Sequence, residues 1–337
     1  MTVNCQPYIL VYMITDTAEK IIKYIKLKQQ VTAHELTNYL GISRQAFYKQ
    51  ITKLIKDESI YKTGQPPKVF YLIKGKSVVK KDEIVKPDIK KIIDKNYLII
   101  TPAGEMKNGV DGFSYWCSRN NLPFGKTAEE YVKTLAKYDV WKKDGMIDGT
   151  QKLKGSFKEI GLDKMFYLDF YAIERFGKTR LGQLLLYAKQ SQDKKMIKNI
   201  SEEARSPILK LIKKYQIDAV AFIPPTVKRE VQLIKELKNQ LSLPLMEINL
   251  VKAKTEVIVP QKTLSKLEDR IENARKSIFV NDKKTCRNIL MIDDAVGSGA
   301  TLNETALQIK KMKVCSGKII GLAITGSFKG FDVISEV

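Results

Sequence analysis

The segment ILMIDDAVGSGATLNE (289–304) constrains the fold more than any other stretch of the chain. An apolar run leads into two adjacent carboxylates, Asp293 and Asp294, then into a loop of small residues, Gly297-Ser298-Gly299-Ala300-Thr301. A helix is expected from about Thr301 to Met312. A short uninterrupted apolar run suits a strand buried on both faces, the situation found where helices cover a parallel sheet. The alternation recurs in IDAVAFI (217–223), followed by VKREVQLIKELKNQL, whose Val227, Val231, Ile234 and Leu241 mark one helical face. It recurs again in LPLMEINLV and in KIIGLAIT. Strands and helices alternating at these lengths predict an α/β layer with a mainly parallel sheet over 166–337.

At the carboxyl end of a parallel strand, Asp293 and Asp294 face the crevice where open α/β sheets bind ligands. The small loop lets successive backbone N–H groups close on a phosphate. The Ser298 and Thr301 hydroxyls add donors, and the dipole of the following helix favours the anion. Phosphate at one end with carboxylates beside it suits a ribose 5-phosphate.

This segment resembles the phosphoribosyl-pyrophosphate (PRPP) motif of type I phosphoribosyltransferases, with Gly297 and Ser298 where many members carry two threonines. Over about 167–325 the chain resembles the competence-protein-F-type members. YAIERFGKTRLGQLLLYAKQ is similar to their early helix, and AFIPPTVKR stands in the place of their proline-bearing pyrophosphate loop. QKTLSKLEDRIENARKSIFV is similar to their Gln-x-x-Leu…Arg-x-x-Asn stretch, which puts Gln261, Leu264, Arg270 and Asn273 on the family pattern. There are two departures. One extra residue falls between Leu264 and Arg270, and the family's arginine-rich, glycine-bearing run has become Lys228, Arg229 and an expected amphipathic helix.

The resemblance implies a doubly wound parallel sheet and Mg²⁺ bound with PRPP, the ion being held by ligand oxygens and water and not by protein ligands alone. It implies transfer at the ribose C1 with pyrophosphate leaving. Asp293 and Asp294 would fix the ribose, and Lys228 and Arg229 would neutralise pyrophosphate. A nucleobase, an amine or a nucleotide stays open as the acceptor.

The amino-terminal part reads differently. TAEKIIKYIKLKQ (17–29) places Ile21, Ile22, Ile25 and Tyr24 on one helical face. Thr32 with Glu35 has capping-box spacing, Gly41 is a helix stop, and Ser43 caps a third helix, RQAFYKQITKLIKD. In that helix Phe47, Ile51, Leu54 and Ile55 form a buried stripe while Arg44, Gln45, Tyr48, Lys49 and Lys53 point outward. SIYKTGQPPKVFYLI then reads as two strands around a turn. Three helices followed by a hairpin resemble the winged helix-turn-helix of bacterial transcription regulators. The resemblance implies that Arg44, Gln45, Tyr48 and Lys49 enter a major groove while Lys62 and Lys68 reach phosphates. Residues 1–75 form this expected nucleic-acid-binding domain, with a charged linker at 76–95. Residues 96–165, with Trp116 and Trp141, form an insertion or hood of unassigned role.

Composition sets outer bounds. Of 337 residues, 59 are Lys or Arg and 37 are Asp or Glu, a net charge of +22 that favours a polyanionic partner, DNA or a structured RNA. Four cysteines without paired spacing encode neither a disulfide framework nor a zinc ribbon, and a single histidine excludes histidine-rich metal sites. No apolar stretch has membrane-spanning length and no leader peptide is recognised, so no membrane partner and a cytoplasmic location are expected. Two functions follow. One is an effector enzyme docked on nucleic acid, similar to retron anti-phage effectors that join a phosphoribosyltransferase-like domain to a winged helix; its expected partners include a homo-oligomer or a larger complex with a reverse transcriptase. The other is a DNA-binding regulator that senses PRPP or a nucleotide without turnover.

Overall fold

Helix α1 (Pro7–Lys28) is followed by β1 (Val31–Thr32), α2 (Ala33–Leu40), α3 (Arg44–Lys56), β2 (Ile60–Gln65) and β3 (Lys68–Ile73). The computed structural model describes residues 7–65, 68–73, 85–227, 229–253 and 259–327. Helix α1 begins ten residues before the expected start at Thr17. The segment 7–14 is apolar or aromatic throughout, so it carries no amphipathic contrast to read, and Pro7 suits a first helical position. Thr32 and Glu35 complete the capping box at α2: the Thr32 N–H donates to Glu35 Oε2 at 2.7 Å and the Glu35 N–H to Thr32 Oγ1 at 3.2 Å. Gly41, in the left-handed region at φ 63°, ends α2, and Ser43 caps α3 through the Ala46 N–H. Ile21, Ile25, Leu36, Phe47, Ile51 and Leu54 close into one core with Ile60 and Tyr71. The strands form an antiparallel sheet in the order β1-β3-β2.

The chain continues through α4 (Pro87–Asn96), the hairpin β4 (Leu98–Ile100) and β5 (Met106–Asn108), α5 (Gly109–Arg119) and α6 (Phe124–Asp139). Part of the expected linker is therefore helix α4, while residues 74–84 lie outside the described residues. Tyr97, Phe113 and Tyr131 build an aromatic cluster, with the Tyr97 and Phe113 rings 5.0 Å apart. This cluster is tied to the first three helices and their sheet. The Tyr61 hydroxyl donates to the Asn121 carbonyl at 2.5 Å, and Lys126 Nζ donates to the carbonyls of Lys28 and Gln30. The chain accordingly divides into two compact units, Met1–Val132 and Lys133–Val337, and the stretch 96–165 is shared between them. Trp116 stacks on Phe113, whereas Trp141 is 54 % exposed.

The second unit runs through β6 (Lys142–Lys143), β7 (Met146–Asp148), α7 (Thr150–Ser156) and β8 (Lys164–Phe170), then a small pair β9 (Ala172–Ile173) and β10 (Gly177–Lys178). There follow α8 (Arg180–Ser191), α9 (Lys194–Tyr215), β11 (Ala219–Phe222), α10 (Leu233–Leu241), β12 (Met246–Glu247) and β13 (Leu250–Lys252). The unit is completed by α11 (Leu267–Ser277), β14 (Ile278–Val280), β15 (Ile289–Val296), α12 (Ala300–Lys311) and β16 (Ile319–Gly326). Seven strands form one sheet in the order β12-β11-β15-β16-β8-β7-β6. The five from β12 to β8 are parallel, and β7 and β6 add antiparallel pairs at one edge. The expected mixed α/β class with a mainly parallel sheet is what forms. Every residue of β16 is buried, as is the apolar half of β15.

One expected element is corrected. The helix read from Val227 begins only at Leu233. Residues 229–232 are held as a loop, because the Val231 N–H donates to Gln192 Oε1 at 2.8 Å and the Arg229 guanidinium to the Lys189 carbonyl. Tertiary hydrogen bonds override a helical pattern that runs through 227–232 in sequence.

Strand starts are fixed by side chains. Asp218 accepts the N–H groups of Arg287 and Asn288 at 2.9 and 2.8 Å, Asn288 Oδ1 accepts that of Lys318 at 2.8 Å, and Asp163 accepts that of Ile319 at 2.8 Å. These contacts pin the amino ends of β15 and β16, and so the register in which Asp293 sits beside Ala323.

Candidate functional site

From β11 the chain passes to β12 on one side and then crosses back to β15 and β16 on the other. The order reverses between the neighbours β11 and β15, which is where an open α/β sheet leaves a crevice at its carboxyl ends. A cavity of about 280 Å³ lies there. Pro224, Pro225, Thr226 and Arg229 contribute from the loop after β11, Asp293 and Asp294 from β15, and residues 297–301 from the turn into α12. Gln261 and Arg270 join from the segment around α11. Lys228 lies outside the described residues. Asn273 is not part of the lining; its Nδ2 donates to the Val259 carbonyl at 3.3 Å.

The turn into α12 is built for backbone donors. Gly299, at φ 88°, is the N-cap and supplies no side-chain acceptor to the first-turn N–H groups. Ser298, buried, accepts the Ala300 N–H at 3.3 Å. A Cβ on Gly299 would lie 2.7 Å from Leu153 Cδ2, so both space and backbone conformation require glycine there. Gly299→Ala is expected to cost about 1–2 kcal/mol of stability in urea unfolding, because alanine at positive φ is strained and the fully buried Leu153 cannot retreat freely.

The carboxylates are not equivalent. Asp294 Oδ2 is paired with Lys189 Nζ at 2.7 Å. Burial, reinforced by the adjacent Asp294, pushes the Asp293 carboxyl up to about 7. The Asp294 N–H donates to Asp293 Oδ1 at 2.7 Å, which opposes part of that rise. Lys252, from β13, lines the same cavity and donates to Thr226 Oγ1 at 2.5 Å; burial lowers its pKa, and Asp293 acts against that shift. Lys189 and Lys252 escaped the sequence reading because neither sits in a local motif, and in a chain with 59 Lys and Arg a lysine at a helix end or after a strand carries no signal.

Among the described residues no three His, Cys, Asp or Glu side chains group to hold a metal ion. Two adjacent carboxylates nevertheless fit the way Mg²⁺ is usually held, by one or two carboxylates with the other oxygens coming from a phosphorylated ligand and water.

In the first unit, Arg44, Gln45, Tyr48 and Lys49 are exposed together on α3, and Lys62 is exposed on β2. The buried Phe47 and Ile51 fix that helix's rotation, so these four side chains share the outward side. Lys68 begins β3, and its side chain lies outside the described residues. Among the described residues no helix is long and apolar enough to cross a membrane.

Compared with known proteins, the chain matches no family model and none of the curated proteins.

Proposed function

We propose that the carboxyl-terminal unit is a type I phosphoribosyltransferase-like domain, doubly wound, that binds PRPP or a ribose 5-phosphate nucleotide with Mg²⁺. We propose equally that the amino-terminal unit is a winged helix-turn-helix that docks it on nucleic acid. The observation that carries the reading is the meeting of Asp293, Asp294 and the glycine-capped start of α12 in one cavity at the switch point of the sheet. Phosphate suits the first-turn N–H groups of α12, and ribose hydroxyls suit the carboxylates. Bound with the ligand, Mg²⁺ would neutralise phosphate charge beside Asp293 and Asp294.

Between an effector enzyme and a sensor, the cations in the cavity favour the enzyme. A departing pyrophosphate gathers negative charge, and fixed cations aimed at it lower the barrier by several kcal/mol. Arg229 and Lys252 supply them from separate segments and compensate for the basic run missing after the proline loop. Arg229 does so from a loop, since α10 starts at Leu233. An anti-phage effector of the retron type fits this combination of docking face and transferase-like site. The test is pyrophosphate release from PRPP with Mg²⁺ and a panel of nucleobases, amines and nucleotides, with and without duplex or structured nucleic acid. Release is expected, and Arg229→Ala should slow it about tenfold or more. Binding of PRPP without release under any condition would assign the protein to the non-catalytic regulators.

A further inference from the structure

One wall of the cavity holds polar atoms that no group among the described residues satisfies. Arg270, Ala274 and Ser277 lie on the buried side of α11 at i, i+4 and i+7, and Gln261 sits in the short turn preceding that helix. Arg270 is 5 % exposed; its Nε donates to the Leu264 carbonyl at 2.8 Å, but its Nη2 meets no acceptor. Gln261 Nε2 donates to the Arg270 carbonyl at 2.9 Å, which fixes the amide's orientation and leaves Oε1 as its unpartnered atom. Ser277, also 5 % exposed, has an unpartnered Oγ. All three residues line the cavity.

Buried polar atoms are nearly always satisfied, and a guanidinium nitrogen left bare in a protein interior is costly. Three such atoms in one wall indicate partners that arrive with a ligand. Their chemistry restricts which ligand. Arg270 Nη2 needs an acceptor, whereas Gln261 Oε1 needs a donor. A phosphate or carboxylate would satisfy the first and set a negative oxygen against the second. A planar ring carrying a carbonyl or ring nitrogen next to an N–H satisfies both, and the Ser277 hydroxyl can turn to either. Ile278, Val296 and Pro260, also in the lining, offer apolar surface for the faces of such a ring. The volume of about 280 Å³ is near the lower end of ligand sites, about 300–1,000 Å³, and suits one base with its sugar phosphate, not a dinucleotide.

We infer that Arg270, Gln261 and Ser277 form a subsite that reads the donor–acceptor edge of a nucleobase. This inference rests on the reading of the same cavity as a ribose 5-phosphate site and names the acceptor, or the base of the nucleotide, that the site takes. The test is calorimetry on the full chain with Mg²⁺ and ribose 5-phosphate present. The probes are uracil; 1,3-dimethyluracil, which keeps the carbonyls but has no N–H; benzoate; and pyrophosphate. Uracil is expected to bind, and dimethyluracil at least tenfold more weakly, because it leaves Gln261 Oε1 unpaired. Arg270→Gln should weaken uracil at least tenfold, with ribose 5-phosphate titrated in parallel as the check on folding. Ser277→Ala removes no protein hydrogen bond, so its fold is safe, and it should weaken uracil about threefold.

Ribose 5-phosphate binding without any binding of uracil would overturn the base subsite and leave the proposed function standing. Failure of both ligands would overturn the two together. Equal affinity for uracil and its dimethyl derivative, unchanged uracil affinity in Ser277→Ala, or an Arg270-dependent site for benzoate or pyrophosphate that excludes uracil would each reject the base assignment.

Discussion

A protein carrying Asp293→Asn and Asp294→Asn is expected to lose about 100-fold or more of its Mg²⁺-assisted affinity for ribose 5-phosphate in calorimetry, since two charge-assisted contacts of about 1.5–3 kcal/mol each disappear. The single variant Asp293→Asn should at the same time melt higher than wild type at pH 8, and the gain should shrink at pH 5. Asp293 is held up to about 7 in the folded chain by burial and by Asp294, against an ordinary value of 3.8. An acid raised in the folded state binds its proton more tightly there than in the unfolded chain, so its stabilising contribution is complete below the ordinary value and is lost as pH rises through about 7. At pH 8 wild type carries a buried carboxylate beside another, and asparagine removes that repulsion at equal volume. Between pH 5 and pH 8 the difference should be on the order of 1–2 kcal/mol after allowance for the partial exposure of the site, a shift of a few degrees. A gain in stability coupled to a loss of binding is what a functional carboxylate produces. Lower stability at pH 8 would mark Asp293 as a structural residue.

Arg44→Ala with Lys49→Ala is expected to lower duplex affinity about 10- to 100-fold at moderate salt and to flatten the dependence of log affinity on log salt, because two cations seated in the groove between the phosphate rows no longer displace counterions. Both side chains are exposed, whereas Phe47 is fully buried, so melting of the first unit should not change. Fluorescence anisotropy over a salt series separates this from a protein-docking role, in which neither affinity nor slope would move.

The features legible in the sequence are those whose causes are local. Thr32 and Glu35 cap α2 through atoms three residues apart, Gly41 takes the left-handed conformation open to glycine, and the 3.6-residue rhythm of Phe47, Ile51 and Leu54 sets which side of α3 faces the core. The turn from β15 into α12 was legible for the same reason. The cavity's cations and its wall were not. Lys189 and Lys252 meet Asp294 and Thr226 across long separations in the chain, and Ser277 reaches the site because α11 packs inward there. Two-residue strands such as β1 and β6 carry no periodicity and exist only through pairing with β3 and β7. Helix α10 starts later than its sequence predicts because the pattern 227–232 is helical in spacing, while the contacts that oppose a helix there come from Gln192 and Lys189.

The seven-stranded sheet ends on both sides in strands of two residues, β12 and β6. Its interior strand β16 and the first half of β15 are apolar, the type of sequence that stacks into aggregates when an edge is open. Short margins offer too few free N–H and C=O groups to template another chain, and β6 adds Lys142 and Lys143, one turned back onto Asp169 at 3.0 Å and the other left charged in solvent. Self-association by continuing the seven-stranded sheet into a second copy is therefore disfavoured at both margins.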